Sequence, residues 1–156
     1  MNISYIAYIV YFIVYVIIHT IFDILYLKFS KPIYSKHLAR IQNKEVENLR
    51  KFRVWPAGLF AYGIIALTLW VFVIHDIVNG NEKRKFIIFL KTTLIALAIW
   101  GVYNLTNYVF TERYKRTLGY MDTAWGVISC NVVVFIMFFL VEYFSKVGNK
   151  SKKMTK

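Results

Sequence analysis

The stretch MDTAWGVISCNVVVFIMFFLVEYF, residues 121–144, decides the class of this protein. Its only acidic side chains are Asp122 and Glu142, which lie near its two ends. An α-helix rises 1.5 Å per residue, so about 20 apolar residues cover the roughly 30 Å hydrocarbon core of a bilayer. The stretch therefore predicts a membrane-spanning helix, and the polar groups in its first half need an explanation.

Three other apolar runs of similar length occupy residues 3–27, 54–74 and 86–110. Hydrophobic residues make up 58% of the 156-residue sequence, and the mean hydropathy is +0.49. A soluble domain of this size cannot bury so much apolar surface in a core. We therefore predict an all-α integral membrane bundle of four transmembrane helices, which forms a single domain over residues 1–145 with spans at about 3–27, 54–74, 86–110 and 121–144.

Two basic segments lie outside the spans. Residues 28–53 are long for a connector, and their apolar side chains recur at helical spacing. We expect a separate amphipathic helix that begins near Ser30 and Pro32 and lies in the headgroup layer, with a soluble connector as the alternative. Residues 146–156 are rich in lysine and are predicted to form a disordered tail.

The charge distribution points to lipid headgroups as partners. The chain has 20 Lys and Arg against 8 Asp and Glu, and almost all the basic residues lie outside the spans. Anionic lipid headgroups are therefore the expected partner, and nucleic acid is not. The first span has no basic residue before it and eight from Lys28 to Arg53, which favours a cytoplasmic location for the 28–53 loop. The lysine-rich tail on the opposite side favours the reverse orientation.

Polar side chains recur in three spans, toward the side of the membrane that carries the 28–53 loop, which we call side B. At 1.5 Å per residue these side chains fall in one leaflet, and polar groups within a span turn toward protein partners because lipid offers none. The second span has few such groups and is interpreted as a packing wall. We predict an intramembrane polar cluster between spans one, three and four, made of His19, Asp23, Asn104, Thr106, Asn107, Asp122, Trp125 and Ser129.

Each part of this cluster also has a simpler interpretation. The asparagines fit a role in joining helices through hydrogen bonds, and Asp122 fits an N-cap at the start of the fourth span. Asp23 lies inside the first span with His19 one turn earlier. That pair fits either a group that holds or passes a proton or a purely structural contact.

Signatures of common catalytic, cofactor and metal sites do not occur in the sequence. There is no HExxH motif, no G-x-S-x-G motif and no glycine-rich phosphate-binding loop. Carboxylates such as Asp23 and Asp122 are suitable ligands for a divalent ion, but no pair of histidines accompanies them. We therefore predict no catalytic residue, no cofactor and no metal.

Three segments carry a resemblance to a known family: FDILYLKF with YSKHL, then WGVYNLTNYVF, then MDTAWGV. They resemble the bacterial family of predicted membrane proteins called domain of unknown function 2177. The resemblance covers nearly the whole chain and implies four spans with an acidic residue late in the first. Asn104 stands where the family pattern has an acid. The resemblance marks as family positions Asp23, Tyr103, Leu105, Thr106, Asn107, Asp122, Ala124, Trp125 and Gly126. It implies no particular activity.

Three functions compete at this point. In the first, the polar cluster lines a pocket open to side B that binds or moves a small solute or a proton, in a homo-oligomer because four helices are few for a transporter. In the second, the protein organises or assembles a membrane structure, and the cluster only holds the bundle together. In the third, the two carboxylates act in a membrane-embedded enzyme on a lipid-like substrate.

Overall fold

The computed structural model describes residues 5–45 and 54–154, with side chains over residues 5–45 and 60–148. The α-helices are α1 Tyr5–Gln42, α2 Val54–Leu69, α3 His75–Asn79, α4 Lys85–Ala96, α5 Val102–Phe110 and α6 Arg116–Met154. Two π-helical stretches interrupt them: Trp70–Ile74 joins α2 to α3, and Leu97–Gly101 joins α4 to α5. The described part of the chain therefore forms four helical columns, in order α1, α2–α3, α4–α5 and α6, with no strand.

Each column is long and apolar enough to cross a membrane. Apolar side chains such as Ile24, Phe72 and Val109 are exposed on the outside of the bundle, where lipid would surround them. The prediction of an all-α membrane bundle with four spans is therefore confirmed. The spanning segments are Tyr5–Gln42, Phe60–Asn79, Lys85–Phe110 and Arg116–Gly148.

The central helix of the bundle is α6, which packs against all three other columns. Its middle part forms the apolar core with the first half of α1, the end of the second column and α4. This core occupies the half of the bundle toward side A, the side opposite to side B. Its fully buried side chains include Tyr15, Leu69, Ile74, Ile88, Val133 and Met137.

A compact turn closes the core on side A, between α3 and α4. Gly80 adopts a left-handed conformation with φ 74°, and the amide of Asn81 donates to the Asp76 carbonyl oxygen at 2.8 Å. The Glu82 carboxylate accepts hydrogen bonds from the Arg84 side chain and from the amides of Lys83 and Arg84. These hydrogen bonds, above all those from the Arg84 side chain, lower the pKa of Glu82 to about 2. The turn is therefore tied together by an ionised carboxylate.

The first helix differs from the prediction of a short span followed by a separate interfacial helix. Residues 28–42 are helical, but they continue α1 through Pro32, so no new helix begins at Ser30 or Pro32. The backbone φ of proline fits a helix, but proline has no amide hydrogen, so the helix loses one hydrogen bond at Pro32. Contacts with α6 hold this segment in place. At 38 residues, α1 is about 57 Å long and extends well beyond a bilayer core. The rest of the predicted amphipathic segment, residues 46–53, lies outside the described residues.

The C-terminal segment also differs from the prediction. Residues 146–154 continue α6 as a helix, where the sequence predicts a disordered tail. Lysine and serine are compatible with a helix, and lysines near a helix C-terminus interact favourably with its dipole. Extending an existing helix also avoids the cost of starting one.

Close packing of α6 against the third column depends on Gly126. A Cβ atom added at this buried glycine would overlap the Trp100 ring. Glycine is therefore required here for a steric reason, as it is in other closely packed membrane helices.

We predict that Gly126→Ala destabilises the detergent-solubilised protein by about 1–3 kcal/mol, because the added methyl group must displace the Trp100 ring. Thermal unfolding followed by circular dichroism measures this loss. Gly63→Ala is the matched control, because a Cβ at Gly63 has no atom within 4 Å among the described residues. Equal melting temperatures for the two variants would contradict the packing described here.

Candidate functional site

The first feature of the site is Asp122, whose carboxylate joins three helical columns. Its Oδ1 atom accepts a hydrogen bond from the Tyr34 hydroxyl group of α1. Its Oδ2 atom accepts another from the Asn104 side-chain amide of α5, at 3.0 Å. Because α6 begins at Arg116, Asp122 lies in the second turn of the helix and is not its N-cap. The capping interpretation of Asp122 is therefore wrong.

The second feature is Asn104, which is 4% exposed and uses both ends of its amide. Its Nδ2 atom donates to Asp122 and lies 2.8 Å from the Trp100 carbonyl oxygen and 3.2 Å from the Thr123 hydroxyl oxygen. Its Oδ1 atom accepts a hydrogen bond of 2.5 Å from the Tyr114 hydroxyl group. Burial raises the pKa of Tyr114 to about 12, so this phenol stays protonated and donates.

This arrangement gives a physical meaning to the asparagine at position 104. A carboxylate can only accept hydrogen bonds, so Asp122 needs the donor that an amide supplies. An acid at position 104 would face the Asp122 carboxyl group, and one of the two would have to hold a proton. Asn104 therefore gives the Asp122 carboxylate an uncharged partner on α5.

A third feature is a chain of buried polar groups along α1. The Tyr15 hydroxyl group lies 3.1 Å from Nδ1 of His19, and Nε2 of His19 lies 3.4 Å from Oδ2 of Asp23. Asp23 and Trp125 line the same cavity. Neither Oδ2 of Asp23 nor the indole nitrogen of Trp125 has a hydrogen-bond partner within the described part of the chain.

Aromatic rings connect the two acidic residues. The Tyr26 and Trp125 rings stack with centroids 4.7 Å apart and planes within 5°. The Tyr26 hydroxyl oxygen lies 3.1 Å from that of Tyr34. Because the Tyr34 proton goes to Asp122, Tyr26 is the donor in this second bond. The order of the partners, Tyr26 with Trp125 and Tyr34 with Asp122, follows from the antiparallel packing of α1 and α6.

A cavity of about 530 Å³ opens between the columns at this level. The second column contributes Tyr62, Ile64 and Ile65 to its wall, so the interpretation of that span as packing alone is incomplete. No Lys or Arg lines the cavity among the residues that the structure describes. Its acidic and principal aromatic lining consists of Asp23, Asp122, Tyr26, Tyr34, Trp100 and Trp125.

Only some residues of the predicted cluster lie at the cavity or contact its lining. Thr106 is exposed on the outer face of α5, and the Asn107 side chain donates to the Tyr103 carbonyl oxygen of its own helix at 3.0 Å. Ser129 is fully buried and donates to the Gly126 carbonyl oxygen at 3.3 Å, inside α6. The residues that lie around the cavity or contact its lining are His19, Asp23, Asn104, Asp122 and Trp125.

Several residues of the site were not expected from the sequence. Tyr34 falls within the predicted interfacial helix, outside the first span. The signal that could have found it is the polar stripe of α1, which continues at helical spacing from Asp23 through Tyr26, Ser30 and Tyr34. Tyr114 lies in a connecting segment, where spacing carries no signal. In the described ranges no group of three or more His, Cys, Asp or Glu side chains is placed to hold a metal ion.

We predict that Asn104→Asp destabilises the protein by about 1–3 kcal/mol near neutral pH, because a buried donor is lost and a second carboxyl group faces Asp122. Two facing carboxyl groups can share a proton at low pH and repel each other once both have lost it. The variant should therefore be most stable at low pH and lose stability as the pH rises. Thermal unfolding in detergent at pH 5 and pH 8 measures the effect.

Asn107→Asp is the control for this experiment, since it makes the same change one turn away on the same helix. It should show a much smaller difference between the two pH values. The assigned contact between Asn104 and Asp122 would be contradicted if both variants lost the same stability at both pH values.

The comparisons with known proteins agree with this architecture. The family described as "Predicted membrane protein (DUF2177)" matches residues 6–139, a range that includes Asp23, Asn104 and Asp122. Searches of curated proteins and of solved structures find no match. Four membrane-spanning helices and the family match together make this chain an integral membrane protein. The chain belongs to this family of predicted membrane proteins, as its sequence motifs indicated.

Proposed function

We propose that the protein binds a small organic cation, such as an alkylammonium compound, in the cavity between its four columns. The observation that carries this proposal is the lining of the cavity. Two carboxyl groups and several aromatic rings face a space with no basic residue among its described lining. Such a space attracts a positive charge that has an apolar body.

The carboxyl groups supply the first part of the recognition. Asp122 accepts one hydrogen bond at each oxygen, both from neutral donors, and a carboxylate has about four acceptor positions. Its negative charge is therefore not balanced by these contacts. Asp23 Oδ2 has no hydrogen-bond partner in the described ranges, and His19 is the base nearest to it. A bound cation would balance negative charge that is costly to keep inside a membrane.

The aromatic rings supply the second part. A cation over the face of a tryptophan or tyrosine ring gains about 0.5–2 kcal/mol, and more when water is excluded. Trp100, Trp125, Tyr26 and Tyr62 all line this cavity. Its volume of about 530 Å³ falls within the range of roughly 300–1,000 Å³ that is typical of small-molecule sites. The site therefore suits an organic cation better than a bare metal ion.

A structural role is the second candidate, and a specific observation favours it. The donors that hold Asp122 belong to two other helices, Tyr34 to α1 and Asn104 to α5. Such interhelical bonds stabilise membrane bundles by roughly 0.6–2 kcal/mol each. In this alternative the acidic residues only join the helices, and the cavity binds no particular solute.

We expect the purified protein in lipid nanodiscs to bind a quaternary ammonium probe such as choline more tightly than its uncharged carbon isostere. Asp23→Asn and Asp122→Asn should each weaken choline binding by about tenfold or more, since each replaces a carboxyl group that can carry a negative charge by a neutral amide in a partly desolvated site. Scintillation proximity with labelled choline, and competition by other alkylammonium ions, measures the affinities.

Asp76→Asn is the matched control, because Asp76 lies in α3 at the opposite end of the bundle and pairs with Lys91 at 3.3 Å. It should bind choline as the wild type does. The cation proposal fails if neither choline nor any competing alkylammonium ion binds better than its uncharged analogue. Loss of a monodisperse elution profile in Asp122→Asn, with no binding in the wild type, would favour the structural role.

A further inference from the structure

A second concave site, separate from the cavity above, lies between the side-B half of α1 and the start of α6. It has a volume of about 420 Å³. None of its described lining residues is acidic. Its polar and charged lining consists of Lys36, His37, Arg40, Lys115 and Thr117. We call this the basic groove.

The positive charges of the basic groove come from two separated parts of the chain. Lys36 and Arg40 are one helical turn apart on α1, where two like charges repel each other. Lys115 comes from the segment that precedes α6 and adds a third charge. His37 lines the groove together with these three side chains. The fold thus concentrates positive charge that no acidic residue of the groove lining offsets.

His37 provides an independent sign that a ligand belongs here. The residue is only 4% exposed, yet neither ring nitrogen has a hydrogen-bond partner in the described part of the protein. Its ring packs edge-on against Tyr114, with centroids 4.9 Å apart, and this contact fixes its position. A buried polar group without a partner is costly. A ligand oxygen in the groove would supply the missing partner.

The start of α6 adds backbone donors to the same place. The amides of Leu118 and Gly119 bond to the Lys115 carbonyl oxygen at 3.0 and 3.3 Å. Arg116 and Thr117 occupy the first turn before them, where amide groups have no partner within the helix. Free amides and the positive end of a helix dipole favour an anion, and phosphate most of all.

We propose that the basic groove binds a phosphate group, carried by an anionic lipid headgroup or by a soluble phosphate ester. A phosphate group accepts hydrogen bonds from lysine, arginine and histidine side chains and from the free amides at the start of a helix. The volume exceeds what the phosphate alone fills, and Ile33 and Met121 make part of the wall apolar. The groove therefore has room for the glycerol or organic part to which the phosphate is attached.

The experiment uses the full chain in nanodiscs with and without phosphatidylglycerol, followed by native mass spectrometry of lipids retained after release into detergent. The wild type should retain phosphatidylglycerol in preference to phosphatidylcholine. The triple variant Lys36→Gln, Arg40→Gln, Lys115→Gln should lower this retention by about tenfold or more, because each lost charge removes a strong hydrogen bond. A parallel titration with glycerol phosphate, by calorimetry in detergent, tests the soluble source.

Two controls separate the groove from general surface charge. The triple variant Lys28→Gln, Lys31→Gln, Lys44→Gln removes the same charge from exposed positions that do not line the groove, two on α1 and one just beyond its end. It should retain the lipid as the wild type does. His37→Phe keeps an aromatic ring against Tyr114 but lacks ring nitrogens, and it should weaken binding severalfold with an unchanged elution profile.

The outcomes are distinct. Phosphatidylglycerol retention that depends on the groove residues supports a lipid headgroup, and glycerol phosphate binding with the same dependence supports a soluble phosphate. Equal loss of lipid in both triple variants would overturn the proposal, since general surface charge would then explain binding. Binding of neither probe by the wild type would also overturn it, and neither result depends on choline binding in the cavity.

Discussion

The Asp122 carboxylate is the constraint on which the side-B half of this bundle depends. A charged group within a membrane helix is costly unless protein groups hydrogen-bond to it. Tyr34 reaches it from α1 and Asn104 from α5, so satisfying one carboxylate fixes three columns relative to one another. The contact also requires α1 to stay helical through Pro32, because Tyr34 lies two residues after it.

The two halves of the bundle are held together by different mixtures of forces. Toward side A, α6 packs through Val133, Val134 and Met137 into an apolar core. Hydrogen bonds from Trp70 to Tyr8 and from Asn131 to Thr93 also join columns there. Toward side B the columns meet through hydrogen bonds and aromatic contacts that surround a cavity. Lipid provides little hydrophobic force between helices, so close packing and hydrogen bonds must do this work. The cavity between the four columns therefore lies in the half that is joined by hydrogen bonds and aromatic contacts.

The sequence predicted the parts of this structure that depend on local composition. Four apolar runs specify four spans, and Asp23, Asn104 and Asp122 are conspicuous because polar residues are rare in such runs. The predictions from sequence are wrong where tertiary contacts override local signals. Pro32 suggested a helix start, but contacts with α6 carry α1 through it, and Tyr34 was therefore missed. Their shared depth in the third span also grouped Thr106 and Asn107 with Asn104, although only Asn104 contacts Asp122.

The most direct test of this account is a double-mutant cycle on the stability of the detergent-solubilised protein, with Tyr34→Phe, Asp122→Ala and the combined variant. If the Tyr34 hydroxyl group donates to Asp122 as described, the two changes are coupled by about 0.5–3 kcal/mol, and the double variant loses less stability than the sum of the two. Strictly additive losses would mean that α1 does not reach Asp122, and would contradict the account.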